Sequence, residues 1–574
     1  MDILPGRNSR ITHFNLKKKN VGNMTIMDEK EKKEIIQKNP HLKEYLDKIT
    51  KKMSEPVFYS VLPFEVRDEK YPNLIYSGKG SIFIHIYKTQ DMDEIKYHAI
   101  EPQLDENEQI KYEQLQKLIV KYASKKESVL TDEELKKVLN ELIDEIIEID
   151  EKAVKAETEG KKRLKLGGKK DKIKATSLQK NNIKYYLIKN IIGGGPLECF
   201  MNDPYLEDIH IVTGQKIHLT HKVFGMIKTN VEIPKDEGQL FARKISEKMG
   251  APVSEGQPIV DGVLPDGSRG NIIYSEAISI KGPSMTIRRF TETPISVTQL
   301  IKWGTLSSGI AAYLWLCLQY GRSFFICGGT ACGKTTTMNA IIPFIPPEKK
   351  IYTAEGTPEL QVPHTVWQRL LTKATGPKEG QVDLFDLLRA ALRSRPEYII
   401  PGEVRGAEGS IVFQAMQTGH PCMTTFHAGS VTKVIQRFTG DPINVPKTFM
   451  DNLDFVVIQL AIDRNGKLIR RVTSIDEIEG YNRAVDGIMA RNAFEWDPIE
   501  DVHRFKANRN SFILEEKIAR NAGYTDTAEI YLEYDKRKHI LDRMVEEDIM
   551  DYYEVVQFIW SYYREGEKGL PISL

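Results

Sequence analysis

Residues 324–342 read Phe-Phe-Ile-Cys-Gly-Gly-Thr-Ala-Cys-Gly-Lys-Thr-Thr-Thr-Met-Asn-Ala-Ile-Ile, and the part from Gly328 to Thr335 fits the pattern G-x-x-x-x-G-K-[ST]. The apolar residues before Gly328 predict a strand, and those after Lys334 predict a helix. Glycines let backbone N–H groups surround phosphate oxygens, and a helix N-terminus attracts anions. The stretch therefore predicts a nucleotide-binding loop.

The residues of this loop have separate predicted roles. Lys334 would reach the β- and γ-phosphates of ATP, and the Thr335 hydroxyl would help to coordinate Mg²⁺. Cys332 lies at a helix N-terminus, which could lower its thiol pKa, although a small residue tolerated in the loop is the simpler interpretation. The expected cofactors are ATP and Mg²⁺. The expected nucleotide-binding residues are Gly328, Gly329, Thr330, Ala331, Cys332, Gly333, Lys334, Thr335 and Thr336.

Bulk composition limits the class of protein. The 574 residues suggest about three or four domains, and 81 basic against 80 acidic residues give no global field that favours nucleic acid. The apolar stretch Gly309–Tyr320 is too short to span a bilayer and predicts a buried helix. Residues 1–20 contain no apolar segment like that of a signal peptide, and the five cysteines form no C-x-x-C pair. We therefore expect a cytosolic protein.

The order of predicted elements divides the chain into five regions. Residues 1–158 form an N-terminal α+β region, with a helix from Asp28 to Ile49 and later helices from Gln109 to Lys125 and from Thr131 onward. Residues 159–177 form a basic linker, because the stretch 160–174 holds eight Lys or Arg and one acid; a solvated linker is favoured over a patch for anionic lipid or nucleic acid. The remaining regions are a mixed α/β domain (178–290), the nucleotide-binding core (291–510) and a helical C-terminal extension (511–574).

Strands and helices alternate in the core. The predicted strands are 323–327, 350–354, 397–401 and 422–426, and the predicted helices are 334–342, 383–395 and 407–418. This alternation predicts a parallel α/β sheet.

Two glutamates at predicted strand ends are candidate catalytic residues. Glu403 follows the strand Ile399–Pro401 and would orient the attacking water; a strand-terminal glutamate that pairs with Arg405 is an equal alternative. Glu355 ends the strand after the phosphate-loop helix and could hold the hydration shell of Mg²⁺. Gly402 occupies the position where many phosphate-loop enzymes have a metal-associated aspartate.

Two histidines and two arginines complete the candidate site. His420 and His427 flank the strand 422–426, and a histidine at a strand tip could contact the γ-phosphate. Arg269 and Arg288 belong to the preceding domain, from which guanidinium groups could neutralise charge on the transferred phosphoryl group. Each of these residues alone is weak support, because most such side chains are structural.

Together, these motifs resemble those of the type II/type IV secretion ATPase superfamily. Within that superfamily they are most similar to the archaeal branch that drives archaellum and type IV pilus assembly. The resemblance covers residues 185–500, and the helical C-terminus more loosely; residues 1–110 and the basic stretch match no motif. Two positions depart from the family pattern. Gly356 stands where an aspartate is usual, and Phe426 stands where leucine is commoner. The matching segments are Asp203–Ile209, Pro265–Arg269, Gly328–Thr335, Ala354–Leu360, Arg389–Arg393, Pro396–Arg405, Thr418–His420 and Thr425–Ala428.

The resemblance implies a RecA-like core and a homo-hexameric ATPase at the inner face of the cytoplasmic membrane. Hinge motion between residues 178–290 and 291–510 would then move a polytopic membrane platform protein that extracts pilin-like subunits. A nucleic-acid partner is not expected. Two alternatives stay open: a ring ATPase that translocates nucleic acid, and an ATP-gated regulatory protein without continuous turnover.

Overall fold

A computed structural model describes residues 26–60, 62–63, 66–67, 69–123, 132–152, 172–290, 293–373, 378–464 and 467–570. The chain divides into two compact units, Met1–Arg289 and Phe290–Leu574. Thr131 and most of the basic stretch at 160–174 lie outside the described residues. The five-region division of the chain stays a prediction.

The first unit mixes helices and strands. Its described helices are α1 (Glu29–Lys38), α2 (Pro40–Ile49), α3 (Glu106–Ala123), α4 (Asp132–Ile146), α5 (Ser177–Ile191), α6 (Glu198–Met201) and α7 (Gly238–Lys248). Its described strands are β1 (Val57–Tyr59), β2 (Asn73–Ser77), β3 (Phe83–Tyr87), β4 (Lys96–Ile100), β5 (Ile147–Ile149), β6 (Ile173–Ala175), β7 (Leu206–Val212), β8 (Lys216–His221), β9 (Gly225–Glu232), β10 (Ile259–Val263), β11 (Arg269–Ile273) and β12 (Ser284–Arg288).

One ten-stranded sheet spans the first unit in the order β1-β2-β3-β4-β9-β8-β7-β12-β11-β10. Its early and late strands meet where β4 runs parallel to β9, with Tyr97 opposite Thr229. Strands from before and after the basic stretch therefore share a sheet, which the sequence did not indicate.

The first predicted helix is wrong in one respect, because it is broken into α1 and α2. Pro40 begins α2, and the preceding Asn39 has φ −128° and ψ 83°, outside the helical region. A proline disfavours helical backbone at the residue before it and has no N–H to donate. The single predicted helix from Asp28 to Ile49 is therefore two helices.

A buried carboxylate ties two early strands of the ten-stranded sheet to the segment that precedes β7. Asp203 is 1% exposed. Its Oδ2 accepts hydrogen bonds from the hydroxyls of Tyr76 (2.8 Å) and Tyr97 (2.9 Å), and its Oδ1 accepts one from the Tyr205 N–H (2.8 Å). Burial raises the pKa of Asp203, while these donors act in the opposite direction. The bonds connect β2 and β4 to the segment that leads into β7.

The second unit contains the phosphate loop. Its described helices are α8 (Val297–Lys302), α9 (Ser308–Gln319), α10 (Lys334–Ile341), α11 (Leu384–Ala391), α12 (Glu408–Gln417), α13 (Val431–Thr439), α14 (Ile530–Glu546) and α15 (Tyr552–Glu565). Its described strands are β13 (Phe324–Cys327), β14 (Ile351–Glu355), β15 (Trp367–Leu371), β16 (Tyr398–Pro401), β17 (Glu403–Val404), β18 (Met423–Phe426), β19 (Phe455–Arg464), β20 (Lys467–Asn482), β21 (Gly487–Asp497) and β22 (Val502–Phe505).

The predicted parallel strands are present in the second unit. Strand β13 pairs in parallel with β18 and β19, and β14 pairs in parallel with β15 and β16. A parallel bridge between Ile399 and Cys422 links the two sets. The antiparallel strands β20, β21 and β22 extend the sheet beyond β19. These three strands were not predicted from the sequence.

The C-terminal extension shares the core of the second unit. Glu477 on β20 is fully buried. It accepts hydrogen bonds from the Tyr313 hydroxyl on α9 (3.0 Å), the Ser511 hydroxyl (2.5 Å) and the Phe512 N–H (2.8 Å). Phe512 begins a π-helix that runs to Ala519, and α14 packs on α9 after it. The predicted buried helix at 309–320 is confirmed as α9, whose residues from Ser308 to Leu318 are buried.

None of the helices in the described part of the chain combines the length and the apolar character that a membrane crossing requires.

The bonds to Asp203 lead to a stability prediction. We expect Tyr97→Phe to lower the free energy of unfolding by about 1–3 kcal/mol, because it removes one donor from a buried carboxylate. Thermal unfolding of the whole chain, compared with wild type, measures the effect. Tyr71→Phe is the control, since the Tyr71 side chain is exposed. Equal midpoints for the two variants would contradict the role assigned to the Tyr97 hydroxyl.

Candidate nucleotide-binding site

The phosphate loop leaves the carboxyl end of β13 in the middle of the sheet. Cys327, the last residue of β13, lies opposite Phe426 of β18 and Ile458 of β19. The Gly328 N–H donates to the Phe426 carbonyl (3.2 Å). Gly333 then takes φ +92°, which favours glycine, and α10 begins at the next residue, Lys334. The loop and the helix therefore follow the order that the motif predicts.

Gln459 on β19 fixes the loop from one side. Its side chain is 1% exposed. Its Oε1 accepts a hydrogen bond from the Thr337 hydroxyl on α10 (2.8 Å), and its Nε2 donates to the Cys332 carbonyl (2.7 Å). A Cβ atom on Gly328 would lie 2.0 Å from the Gln459 carbonyl oxygen. Gln459 could not be predicted from the sequence, because it belongs to no recognisable motif and its strand lies far along the chain from the loop.

The side chains of Lys334 and Cys332 in the loop are both buried. The Lys334 ammonium donates to the carbonyls of Gly328 (3.3 Å) and Gly329 (2.8 Å). The Cys332 thiol donates to the Gly329 carbonyl (3.1 Å), and burial raises its pKa. The suggestion that the helix N-terminus makes Cys332 reactive is therefore wrong, because desolvation of the thiolate outweighs the nearby positive charges.

Glu403 and His427 come together at the same edge of the sheet as the loop. Glu403 begins β17, in which Val404 lies opposite Phe426, and His427 directly follows Phe426. The His427 Nε2 lies 2.6 Å from Glu403 Oε1, and Arg405 Nε donates to Glu403 Oε2 (2.8 Å). The carboxylate is thus held between an imidazole and a guanidinium group. The pairing of Glu403 with Arg405 that the sequence left open is present.

His420 lies at the other edge of the sheet. It precedes β18, whereas His427 follows it, and the four residues of β18 separate the two edges by roughly 13 Å. The His420 Nδ1 lies 3.0 Å from the Thr418 hydroxyl. Within one chain, His420 therefore does not join Glu403 and the phosphate loop.

Glu355 is a buried carboxylate at the end of β14. It is 1% exposed, and its Oε1 accepts hydrogen bonds from the N–H groups of Glu359 (2.8 Å) and Leu360 (2.7 Å). Its Oε2 lies 3.5 Å from Arg369 Nε but accepts no hydrogen bond from the residues that the structure describes. Burial raises the pKa of Glu355 to about 7, against its hydrogen bonds and Arg369.

The surroundings of Glu355 fit a divalent cation. A Cβ atom on Gly402 would lie 3.2 Å from Glu355 Cγ, so the Glu355 side chain occupies the space that a carboxylate at position 402 would need. Asn339 on α10 donates to the Glu359 carbonyl (2.9 Å), which ties the helix carrying Thr335 to the segment after Glu355. Mg²⁺ is usually coordinated by one or two protein oxygens together with phosphate and water oxygens. A buried carboxylate oxygen that accepts no hydrogen bond from the described residues is a suitable ligand.

Arg269 and Arg288 lie in the first unit, side by side on one face of its sheet. They are directly opposite each other in the antiparallel pair of β11 and β12. Like charges at such a position repel, and two aspartates offset them: Asp261 lies 3.8 Å from Arg269, and Asp208 lies 3.2 Å from Arg288. Both arginine side chains are exposed by 40% or more.

Comparison with known proteins gives one family and several relatives. Residues 201–472 match the family model described as type II/IV secretion system protein. An uncharacterized protein of Methanocaldococcus jannaschii is 50% identical over 553 residues, which are 96% of this chain and 100% of that protein. The type IV secretion system protein VirB11 of Bartonella quintana is 26% identical over 281 residues, which are 42% of this chain and 78% of that protein.

Solved structures of similar proteins include the ATPase DotB of Legionella pneumophila. It is 18% identical, covers 64% of this chain and 94% of its own, and has a TM-score of 0.37. The α/β fold class predicted from the sequence is present in the described helices and strands of the chain. The predicted resemblance to the type II/IV secretion superfamily is confirmed. The archaeal branch within that superfamily stays a prediction.

The close contact between Gly328 and Gln459 can be tested with alanine substitutions at two neighbouring glycines. We expect Gly328→Ala to destabilise the protein by about 1–3 kcal/mol or more, because its methyl group would overlap a backbone oxygen. Gly329→Ala is the control, since a Cβ atom there meets nothing within 4 Å. Thermal unfolding measures both. Similar midpoints for the two variants would contradict the close packing of Gly328.

The raised pKa of Glu355 gives a pH-dependent prediction. A folded-state pKa of about 7, above the ordinary 4.5, means that the folded chain holds more protons between these values. The protonated Glu355 carboxyl group therefore contributes to the free energy of unfolding in full below pH 4.5, and this contribution is lost as the pH rises through 7. We expect wild type to lose up to about 3 kcal/mol relative to Glu355→Gln between pH 4.5 and 8.

Chemical denaturation at several pH values measures this difference. Glu495→Gln, at an exposed ion pair with Lys506, is the control and should keep a constant difference from wild type. A constant difference for Glu355→Gln as well would show that the carboxyl group is not shifted by burial.

Proposed function

Because this chain belongs to the type II/IV secretion system ATPase superfamily, we propose that it is an ATP-hydrolysing motor. It acts as a homo-hexamer at the inner face of the cytoplasmic membrane. Its turnover powers the assembly of a type IV pilus-like filament, either an archaellum or a pilus, or a related protein secretion step. Its membrane partner is a polytopic platform protein.

The observation that carries this proposal is the position of Glu403. The register of β13, β18 and β17 sets Gly328, His427 and Glu403 along one edge of the sheet. A general base must lie beside the phosphate group whose hydrolysis it assists. The arrangement supports hydrolysis of a bound triphosphate rather than binding alone.

The chain's own residues have defined tasks in this proposal. Lys334 leaves the carbonyls of Gly328 and Gly329 and binds the terminal phosphates, which are stronger acceptors for a charged donor. Thr335 and Glu355 hold the metal. Mg²⁺, when bound, supplies positive charge to the phosphate oxygens.

Glu403 acts on the attacking water. Arg405 and His427 hold its two oxygens, which fixes the direction of the carboxylate. An ionised, oriented carboxylate can accept a hydrogen bond from a water placed in line with the terminal phosphate. In this proposal His427 orients Glu403, whereas His420 lies at the other edge of the sheet and takes no part in the site of its own chain.

Arg269 and Arg288 supply the transition-state charge in this proposal. Two adjacent guanidinium groups form a strong site for phosphate oxygens, and their mutual repulsion falls when an anion binds. Movement of the first unit with nucleotide state would then bring them to the phosphates and displace the platform protein.

The test is the variant Glu403→Gln. It should bind ATP with an affinity close to that of wild type and hydrolyse it at about 1% of the wild-type rate or less, because it removes the base and leaves the loop intact. ATP binding and phosphate release, measured separately, decide this. Glu495→Gln is the matched control and should keep full turnover. Turnover of Glu403→Gln within a factor of about two of wild type would overturn the assignment.

The same assay separates the two alternatives. A wild-type protein that binds ATP but does not hydrolyse it, even with lipid present, would be an ATP-gated regulator. A turnover that DNA stimulates in a salt-sensitive manner would indicate a nucleic-acid motor.

A further inference from the structure

Arg470 is a second positively charged side chain at the phosphate loop. It lies on β20, opposite Ala461 of β19. Its Nε donates to the Ala331 carbonyl (3.0 Å), and a Cβ atom on Gly333 would lie 3.4 Å from its Cδ. The arginine side chain therefore lies along the loop from Ala331 to Gly333.

The neighbouring Arg471 has a different environment. It is 8% exposed and donates to both oxygens of Asp501 (2.8 and 2.9 Å) and to the Trp303 carbonyl (3.1 Å). Successive residues of a strand point to opposite faces, so Arg471 enters the core while Arg470 points to the loop. Arg471 is thus held on several sides, whereas the described part of the chain gives the Arg470 guanidinium a single acceptor, the Ala331 carbonyl.

Arg470 keeps hydrogen-bonding capacity toward a ligand. Among the described residues, its contact with Ala331 is made by Nε and leaves the two terminal nitrogens without a hydrogen-bond acceptor. A guanidinium group offers its N–H donors as a planar fork that matches two phosphate oxygens. The loop beside it is a surface of backbone N–H groups that attracts the same oxygens.

We propose that Arg470 binds the phosphate chain of the nucleotide as a second cation beside Lys334. The inference rests on the proposed nucleotide-binding function and adds a residue to that site. The Nε contact with Ala331 holds the side chain in place, and its terminal nitrogens meet the phosphate oxygens. The ligand is thus bound from α10 by Lys334 and from β20 by Arg470.

The test compares Arg470→Gln with Arg504→Gln. Arg504 lies on β22 of the same sheet and pairs with Asp497 and Glu500 at the surface. The dissociation constant of a fluorescent ATP analogue should rise about 10- to 100-fold in Arg470→Gln, because a charge-assisted hydrogen bond is lost. It should stay within about twofold of wild type in Arg504→Gln, because exposed ion pairs contribute little.

Inorganic tripolyphosphate identifies the part of the ligand that Arg470 contacts. Its inhibition constant against the ATP analogue should rise by a similar factor in Arg470→Gln. A loss of ATP affinity without a loss of tripolyphosphate affinity would place Arg470 at the base or sugar, and would overturn the proposal.

A third variant separates ligand binding from support of the loop. Arg470→Lys keeps the charge and should recover part of the lost affinity, and thermal unfolding without nucleotide checks that each variant folds. Equal losses in Arg470→Lys and Arg470→Gln would make Arg470 a tether of the loop and overturn the proposal, as would an unchanged affinity in Arg470→Gln.

Failure of this inference is distinct from failure of the proposed function. A wild-type protein that binds no nucleotide, or that binds it equally well as Lys334→Ala, would overturn the proposed function. A wild-type protein that depends on Lys334 but not on Arg470 would overturn only the role of Arg470.

Discussion

The close approach of Gly328 to the backbone of Gln459 is the constraint on which the candidate site depends. Because no side chain fits between them, β13 and β19 can continue side by side up to the point where the loop begins. The Gln459 amide then fixes both the loop, at the Cys332 carbonyl, and the first turns of α10, at Thr337. The direction in which α10 leaves the sheet, and with it the position of Lys334, follows from this one contact.

The sequence predicted the parts of the site that local patterns encode. The phosphate loop, Glu403 and His427 each follow a short buried strand, and parallel pairing brings the ends of such strands to one edge. The same reasoning placed His420 with them, although it precedes its strand and lies at the opposite edge. Gln459 and Arg470 could not be found in this way, because their importance comes only from the pairing of distant strands.

Other differences between expectation and structure have physical causes of the same kind. The break at Pro40 arises because proline lacks an N–H and disfavours helical backbone at Asn39, and this effect outweighs the helical spacing of the apolar residues. The pKa of Cys332 depends on burial, which the loop motif does not encode. The shared sheet of the first unit requires β4 to pair with β9, which is distant in sequence. Local signals therefore predicted the elements, and long-range pairing determined their arrangement.

Glu477 has a consequence for how the C-terminal extension can change. Its carboxylate accepts hydrogen bonds from the Tyr313 hydroxyl on α9 and from the Ser511 hydroxyl and the Phe512 N–H at the start of the π-helix, so a replacement segment without the matching hydroxyl would remove a donor from a buried acceptor. A chimera that received residues 511–574 from a relative would keep these bonds where that relative has a hydroxyl at the position of Ser511. The extension is thus an integral part of the core of the second unit, and its divergence is restricted at the position that donates a hydroxyl to Glu477.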